Sequence, residues 1–285
     1  MPNRSRTRRP RVAAHRGGTA PVGDPHARVH VAAVGFEVER VVEPLLTERA
    51  DRVYLLTRRT EDAARPFLEE VLRRLERAPW PVEVRVVRTE IWDVFGALAE
   101  LRAIFTAERR VDRNAGDVLP IRVNVSTGTK ITAIAGTLAC MLWKGEPYYV
   151  QVSQSWYSRR TPRVQPVNDV VRRIEPVAVY ELRSPSRELV EVLEALERHG
   201  GRLRKRELIR ELGLDRPGEG ASGPPSPQAQ HSRLRNRLEP LEHRWRFIAA
   251  EPTGARGRVA ITEQGRLALT LFGESGRGVR PAAAE

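Results

Sequence analysis

The segment Ser126-Thr-Gly-Thr-Lys130 gathers three hydroxyls and one ammonium around a glycine. Such a group suits an anionic or polyhydroxylated ligand if the chain around it is folded to hold one. Before it, Ile121, Val123 and Val125 alternate with polar residues, the period of a strand. After it, Ile131, Ile134, Ala135, Leu138 and Leu142 fall at helical spacing. A strand, a tight loop and a helix would bring backbone N–H groups and the positive end of the helix dipole to the loop. The segment is neither a P-loop nor a dinucleotide fingerprint, since both need further glycines at fixed spacing. An ordinary strand-to-helix turn, with Ser126 or Thr127 capping the helix and Lys130 in solvent, explains one hydroxyl but not the whole set.

Asn124-Val-Ser-Thr-Gly-Thr-Lys130 resembles the strand-four signature of CARF domains, the Rossmann-like sensors of CRISPR-associated proteins. There a similar segment lines the pocket for cyclic oligoadenylate. Family members often carry two glycines where this chain has Thr127-Gly128. Val29–Leu46, with Val34-Gly35-Phe36-Glu37, resembles the family's first strand-loop-helix. The resemblance is closest to the archaeal regulators that join a CARF-like domain to a winged helix, and it runs from Arg28 to about Leu271. It implies a ligand site at Gly35, Phe36, Glu37, Asn124, Ser126, Thr127, Gly128, Thr129 and Lys130. The implied ligand is cyclic oligoadenylate or a related nucleotide, and no cofactor is expected.

The elements that must position these residues are legible in order. Strands are expected at 28–34, 52–57, 82–88, 121–125 and 147–152, with helices at 37–49, 61–77, 91–108 and 131–143. Such alternation means a mostly parallel sheet with right-handed crossovers. The simplest order, 3-2-1-4-5, makes strands one and four neighbours whose helices leave toward opposite faces. A crevice opens at that switch point, where the Gly35-Phe36-Glu37 and Ser126–Lys130 loops meet. Residues 164–182 read as edge strands or a β linker, 109–119 as a polar loop and 1–27 as a disordered basic tail.

From Ser184 the pattern changes to helix, helix, helix, strand, wing, strand and helix, an α+β winged helix-turn-helix domain over 184–272 with a flexible tail at 273–285. Ser184 and Pro185 suit the N-cap and first turn of its first helix, Ser186–His199. Pro240 is expected to end or kink the third helix, Gln228–Glu239. On that helix Leu234, Leu238 and Leu241 form a core stripe, while Gln230, Arg233 and Arg237 form a polar one that would enter a major groove. Arg235 and Arg206 suit phosphates; Arg256 and Arg258 lie on the wing. The acidic residues of the first helix, Glu188, Glu191, Glu194 and Glu197, are placed away from this face.

Composition agrees. A net charge of +13 over 285 residues implies a polyanionic partner, nucleic acid first, and the winged helix makes double-stranded DNA the expected one. The single cysteine, Cys140, excludes an internal disulfide and a multi-cysteine zinc site, and it reads as a core thiol. No apolar run approaches the roughly 20 residues of a membrane helix, and no signal peptide is found, so a cytoplasmic protein is expected.

Three functions fit: a ligand-responsive transcription regulator, a metal-independent ring nuclease acting in the same pocket, and a constitutive DNA-binding protein with a vestigial sensor. The first is preferred, because no His or acid other than Glu37 stands beside either loop to act as a base. Ala133, Gly136 and Ala139 suggest a homodimer through helix 131–143.

Overall fold

The computed structural model describes residues 24, 26–60, 63–108, 119–153, 171–217, 223–250 and 257–273. Strands β1 (Val29–Ala33), β2 (Arg52–Arg58), β3 (Glu83–Thr89), β4 (Arg122–Asn124) and β5 (Glu146–Val152) run parallel in the order β3-β2-β1-β4-β5. This is the order expected from the sequence. β1 is buried along its whole length, as a central parallel strand covered on both faces must be. Successive residues therefore serve opposite layers. Val31 and Ala33 pack with α3 (Val94–Glu108) and α4 (Lys130–Trp143) through Leu98, Leu101, Phe105, Ala135 and Ala139. Ala32, with Val34 just beyond the strand, packs with α1 (Glu39–Thr47) and α2 (Arg65–Leu75) through Val41, Val42, Leu45, Phe67 and Val71. Each valine, leucine or phenylalanine among them contributes about 1.5–3 kcal/mol by leaving water. Cys140 is buried within this core and forms no disulfide.

β6 (Val171–Pro176) adds an antiparallel edge beside β5. The rest of the expected extended segment differs: 164–170 lie outside the described residues, and Val177–Leu182 form no strand. There Val177 N–H donates to Pro147 O and Leu182 N–H to Met141 O, so the chain crosses from β5 to the end of α4.

The second unit contains α5 (Arg187–Arg198), β7 (Arg202–Arg204), α6 (Lys205–Glu211), α7 (Pro227–Glu239), β8 (Ile248–Ala250), β9 (Arg258–Ile261) and α8 (Glu263–Phe272). Leu193, Leu196, Leu208, Leu234, Leu241 and Val259 form its core. Its antiparallel sheet has the order β7-β9-β8. Two expectations need correction. α5 begins at Arg187 with Ser186 at the N-cap, so Ser184 and Pro185 precede the helix. β7 was not foreseen: it is three residues long, two of them arginine, and it exists because β9 supplies its partners. Pro240 does end the α-helix, and a π-helical turn over Pro240–Arg244 follows, closed by Trp245 N–H to Pro240 O at 3.0 Å.

The two units touch through α3 and α8. Arg102 of α3 donates to Thr270 O at 3.0 Å and to Gly273 O. A guanidinium on the carbonyl end of a helix is favoured by the dipole. Leu271 packs against the core beneath α3 and α4.

Two buried polar groups anchor the parallel sheet at its amino edge. Arg52 is 1% exposed and donates to both oxygens of Glu108 at 2.9 Å, and from Nε to Glu83 at 2.8 Å; Tyr54 OH donates to Glu108 Oε1 at 2.5 Å. His30, also 1% exposed, lies 3.3 Å from Tyr148 OH through Nδ1. Burial first, then the Arg122 and Arg28 guanidiniums, push its imidazole from 6.5 down to about 3, against an opposing pull from Asp51. Between those values the unfolded chain binds a proton at His30 that the native chain does not. Stability is therefore retained above pH 6.5 and falls as pH drops through this window, by up to roughly 1.4 kcal/mol per pH unit. Urea unfolding from pH 7 to pH 4.5 is expected to fall less steeply in His30→Gln than in wild type; parallel curves would refute the assignment.

Candidate functional site

Gly128 sets the conformation of the loop between β4 and α4. Its φ of +79° is open to glycine, and a Cβ there would sit 2.4 Å from the Ala33 side chain. The loop is also held from within. Asn124, buried at the end of β4, accepts from Ser126 N–H at 3.0 Å and Ser126 Oγ at 2.6 Å, and donates to Arg40 O at 2.8 Å. Neither Ser126 nor Thr127 caps α4. Thr129 does: its hydroxyl accepts from Thr132 N–H at 3.1 Å, while the Thr132 hydroxyl accepts from Thr129 N–H at 2.9 Å. Thr129 Oγ1 also donates to Ile91 O at 2.9 Å.

The three hydroxyls therefore do not converge as equals. Thr129 and Asn124 shape the loop. Thr127 is buried at 3% exposure, and its hydroxyl has no partner among the described residues. Ser126 donates inward and keeps its oxygen lone pairs as acceptors. Lys130 is exposed at the first position of α4, and its side chain makes no ion pair or hydrogen bond among the described residues. An ammonium at a helix N-terminus opposes the dipole by about 0.3–1 kcal/mol. An anion held between the two would turn that cost into attraction.

The β1–α1 loop closes against this one, as the switch-point argument requires. A methyl group added at Gly35 would meet Glu37 Oε2 at 2.9 Å and Gly128 N at 3.0 Å. Phe36 is 48% exposed and stands edge-on to buried Phe67, with ring centroids 5.3 Å apart. Two neighbours were missed from the sequence. Arg40 in the first turn of α1 donates to Ser126 O at 3.3 Å, bringing a second cation to the loop. Trp92, 61% exposed, follows the Ile91 carbonyl that Thr129 holds. The expected helix 91–108 had absorbed it, but Asp93 accepts from Phe95 and Gly96 N–H, both at 3.0 Å, and starts α3 after the tryptophan. An Asp at that place is a readable N-cap signal.

Of the small residues of α4, Ala133 is partly exposed, while Gly136 and Ala139 are buried. Gly136 packs on the sheet, where a Cβ would meet Val123 Cγ1 at 3.0 Å. The outer side presents Ile134, 50% exposed, with Leu138 and Met141 partly exposed along the same stripe.

In the second unit, Arg206, Arg233, Arg235 and Arg258 are exposed and have no ion pair among the described residues. Arg256 lies outside the described residues. Arg237 departs from expectation: it is 17% exposed and lies 3.6 Å from both Glu188 and Glu191 of α5. The acidic side of α5 therefore meets α7 at this arginine, because Arg237 lies toward the Leu234–Leu238 stripe. Gln230 is also turned inward, donating to Pro225 O at 2.9 Å. The solvent side of α7 instead carries exposed Ser232 and Asn236, flanked by Arg233 and Arg235. On the small sheet Arg204 stands directly across from Arg258, both exposed. Like charges so placed repel unless an anion bridges them.

A parallel α/β sheet with a loop-and-helix site at its switch point, followed by a winged helix, is the class this architecture defines. The family models agree in both parts. Residues 28–155 match the HFX_2341_N-like N-terminal model, and residues 188–273 match the C-terminal winged helix domain of DUF6293. The chain thus joins an HFX_2341_N-like domain to a DUF6293-type winged helix. Protein MJ1513 of Methanocaldococcus jannaschii, described as uncharacterized, is 25% identical over 197 residues, which cover 61% of this chain and 57% of that protein. Among solved structures, Csm6 of Enterococcus italicus bound to cyclic hexa-2′-fluoro-hexa-dAMP is 12% identical with a TM-score of 0.37, covering 76% of this chain and 56% of that one. Can2 of Sulfobacillus thermosulfidooxidans in complex with cyclic tetra-adenylate is 14% identical with a TM-score of 0.35, covering 86% and 64%. The chain spans less than two thirds of the length of each of these proteins, and superpositions this loose transfer no feature to it. Among the described residues no helix is long and apolar enough to cross a membrane.

Proposed function

We propose that this protein is a ligand-responsive transcription regulator: the parallel-sheet domain senses a cyclic oligoadenylate or a related nucleotide, and the winged helix binds double-stranded DNA. The observation that carries the ligand half is Lys130. An exposed ammonium without a counter-ion among the described residues stands at the N-terminus of a 14-residue helix, beside a glycine-shaped loop at the switch point. Its fields balance when an anion is bound. The half-exposed Phe36 and exposed Trp92 on the flanking loops favour a ligand with planar bases as well as phosphates. Incubation with cyclic tetra- and hexa-adenylate followed by separation of products tests the reading. Binding without change is expected. Linear products would make the protein a ring nuclease, and absence of binding would leave a constitutive DNA-binding protein.

The DNA half rests on the winged-helix match and on the unneutralised arginines of its exposed face. Arg233→Ala and Arg235→Ala are expected to weaken DNA binding at unchanged melting temperature. A base-reading arginine accounts for about 1–3 kcal/mol of discrimination, and loss of a phosphate contact flattens the salt slope by about one. Arg237→Ala is expected instead to lower the melting temperature, since it strips a partner from Glu188 and Glu191. Gel-shift titrations and thermal melts of the three variants check this; unaltered DNA affinity in Arg233→Ala and Arg235→Ala would sink the assignment of the α7 face.

A second copy docked along the outer side of α4 would cover Ile134 and bring two Lys130 loops together, matching the rotational symmetry of a cyclic ligand. Light scattering at micromolar concentration is expected to give the dimer mass, and a monomer mass would contradict it.

A further inference from the structure

The small sheet of the second unit has two unlike faces. Leu203, Val259, Ile261 and Ile248 turn toward the core of that unit. By the alternation of a strand, the residues between them face outward: Arg202 and Arg204 on β7, Arg258 and Ala260 on β9, and Ala249 on β8. The register sets Arg204 directly across from Arg258. Both are exposed, and neither makes an ion pair among the described residues. Opposed residues of an antiparallel pair hold their Cβ atoms about 4.5–5.5 Å apart, so the two guanidiniums can reach one point. Like charges so opposed weaken the pairing, here in a strand of three residues that pairs with β9 alone. Departures of this kind gather at functional sites. The place is also particular. β7 runs straight into α6, β9 begins where the wing ends, and Lys205 N–H donates to Gly257 O at 3.0 Å. The arginine pair therefore sits where the helix-turn-helix and the wing join.

We propose that Arg204 and Arg258 clasp one phosphate of the DNA backbone between them, a contact separate from the α7 face. The inference rests on the DNA reading above and adds a site that fixes the duplex in place without reading its sequence. The planar fork of a guanidinium matches two phosphate oxygens at once. A phosphate held between the two turns their repulsion into two attractions. A carboxylate would fit the same forks, but the winged-helix match and the net charge of +13 favour the phosphodiester of a duplex. The contact also accounts for β7, which has one apolar residue of its own and brings Arg204 opposite Arg258.

The test is fluorescence anisotropy of the full chain with two duplexes, a fragment from upstream of its own gene and one of random sequence, over a range of salt concentrations. Arg204→Gln and Arg258→Gln keep most of the aliphatic stem and remove the charge. Each is expected to weaken binding to both duplexes alike by about tenfold, the value of one hydrogen bond to a charged group. The double variant is expected to flatten the salt slope by about one, because the two arginines share a single phosphate. Melting temperature at low salt should hold or rise in each variant, since a cross-strand repulsion is removed. A lower melting temperature would make the pair structural and overturn the proposal. Unchanged affinity and slope in the double variant, a slope flatter by about two, or a loss confined to the upstream fragment each overturns the shared phosphate alone. Failure of wild type to bind either duplex overturns the DNA reading together with it.

Discussion

Lys130→Ala is expected to lower affinity for cyclic oligoadenylate at least about a hundredfold and to leave folding intact. Each hydrogen bond to a charged group is worth roughly 1.5–3 kcal/mol. The two-fold site proposed above would lose two of them, and each 1.4 kcal/mol is a factor of about ten. Folding should survive because the side chain is exposed and makes no ion pair or hydrogen bond among the described residues. Removing a cation from the start of α4 relieves a dipole conflict of about 0.3–1 kcal/mol, so the variant should melt slightly higher than wild type. Calorimetric titration beside a thermal melt reads both effects. Equal affinity would move the site elsewhere, and a lower melting temperature would make Lys130 structural.

The largest effect on stability is expected at Glu108. Glu108→Ala leaves the Arg52 guanidinium, 1% exposed, with Glu83 but without its bidentate partner, and strips the Tyr54 hydroxyl of its acceptor. Breaking a buried pair from one side costs about 3–5 kcal/mol, since the remaining charge stays out of water. Arg52→Met combined with Glu108→Leu removes both charges and should recover much of the loss, because apolar replacement of a whole buried pair is often neutral or better. Urea unfolding of wild type, single and double variants is the measurement. A loss below about 1 kcal/mol in Glu108→Ala would mean that the network relaxes toward solvent.

The strand order was readable because the β and α periods alternate cleanly through residues 29–152, and parallel crossovers leave few topologies. The switch-point loops followed from that order. What the sequence hid was the use of each polar side chain. Ser126, Thr127 and Thr129 look equivalent in a row; only the turn at Gly128 decides that Thr129 caps α4, that Thr127 is buried and that Ser126 bonds back to Asn124. Gly136 is small for the sake of β4, where Val123 and Val125 press against the helix. Arg237 was placed on the DNA face because it shares a stripe with Arg233, yet that stripe grades into the core side, where two glutamates of α5 reach it. β7 carries no apolar alternation and is set by pairing with β9, a contact distant in sequence.

α3 joins the two halves of the account. Its leading loop is tied to Thr129 through the Ile91 carbonyl, and further along Arg102 holds the last turn of α8. A ligand that shifts the Ser126–Lys130 loop thus acts on an element in contact with the winged helix. The most direct test is the affinity of the protein for a DNA fragment from upstream of its own gene, measured by fluorescence anisotropy with and without saturating cyclic oligoadenylate. The account predicts that the ligand changes the affinity of wild type and leaves that of Lys130→Ala unchanged. An affinity in wild type that is the same with and without ligand would contradict it.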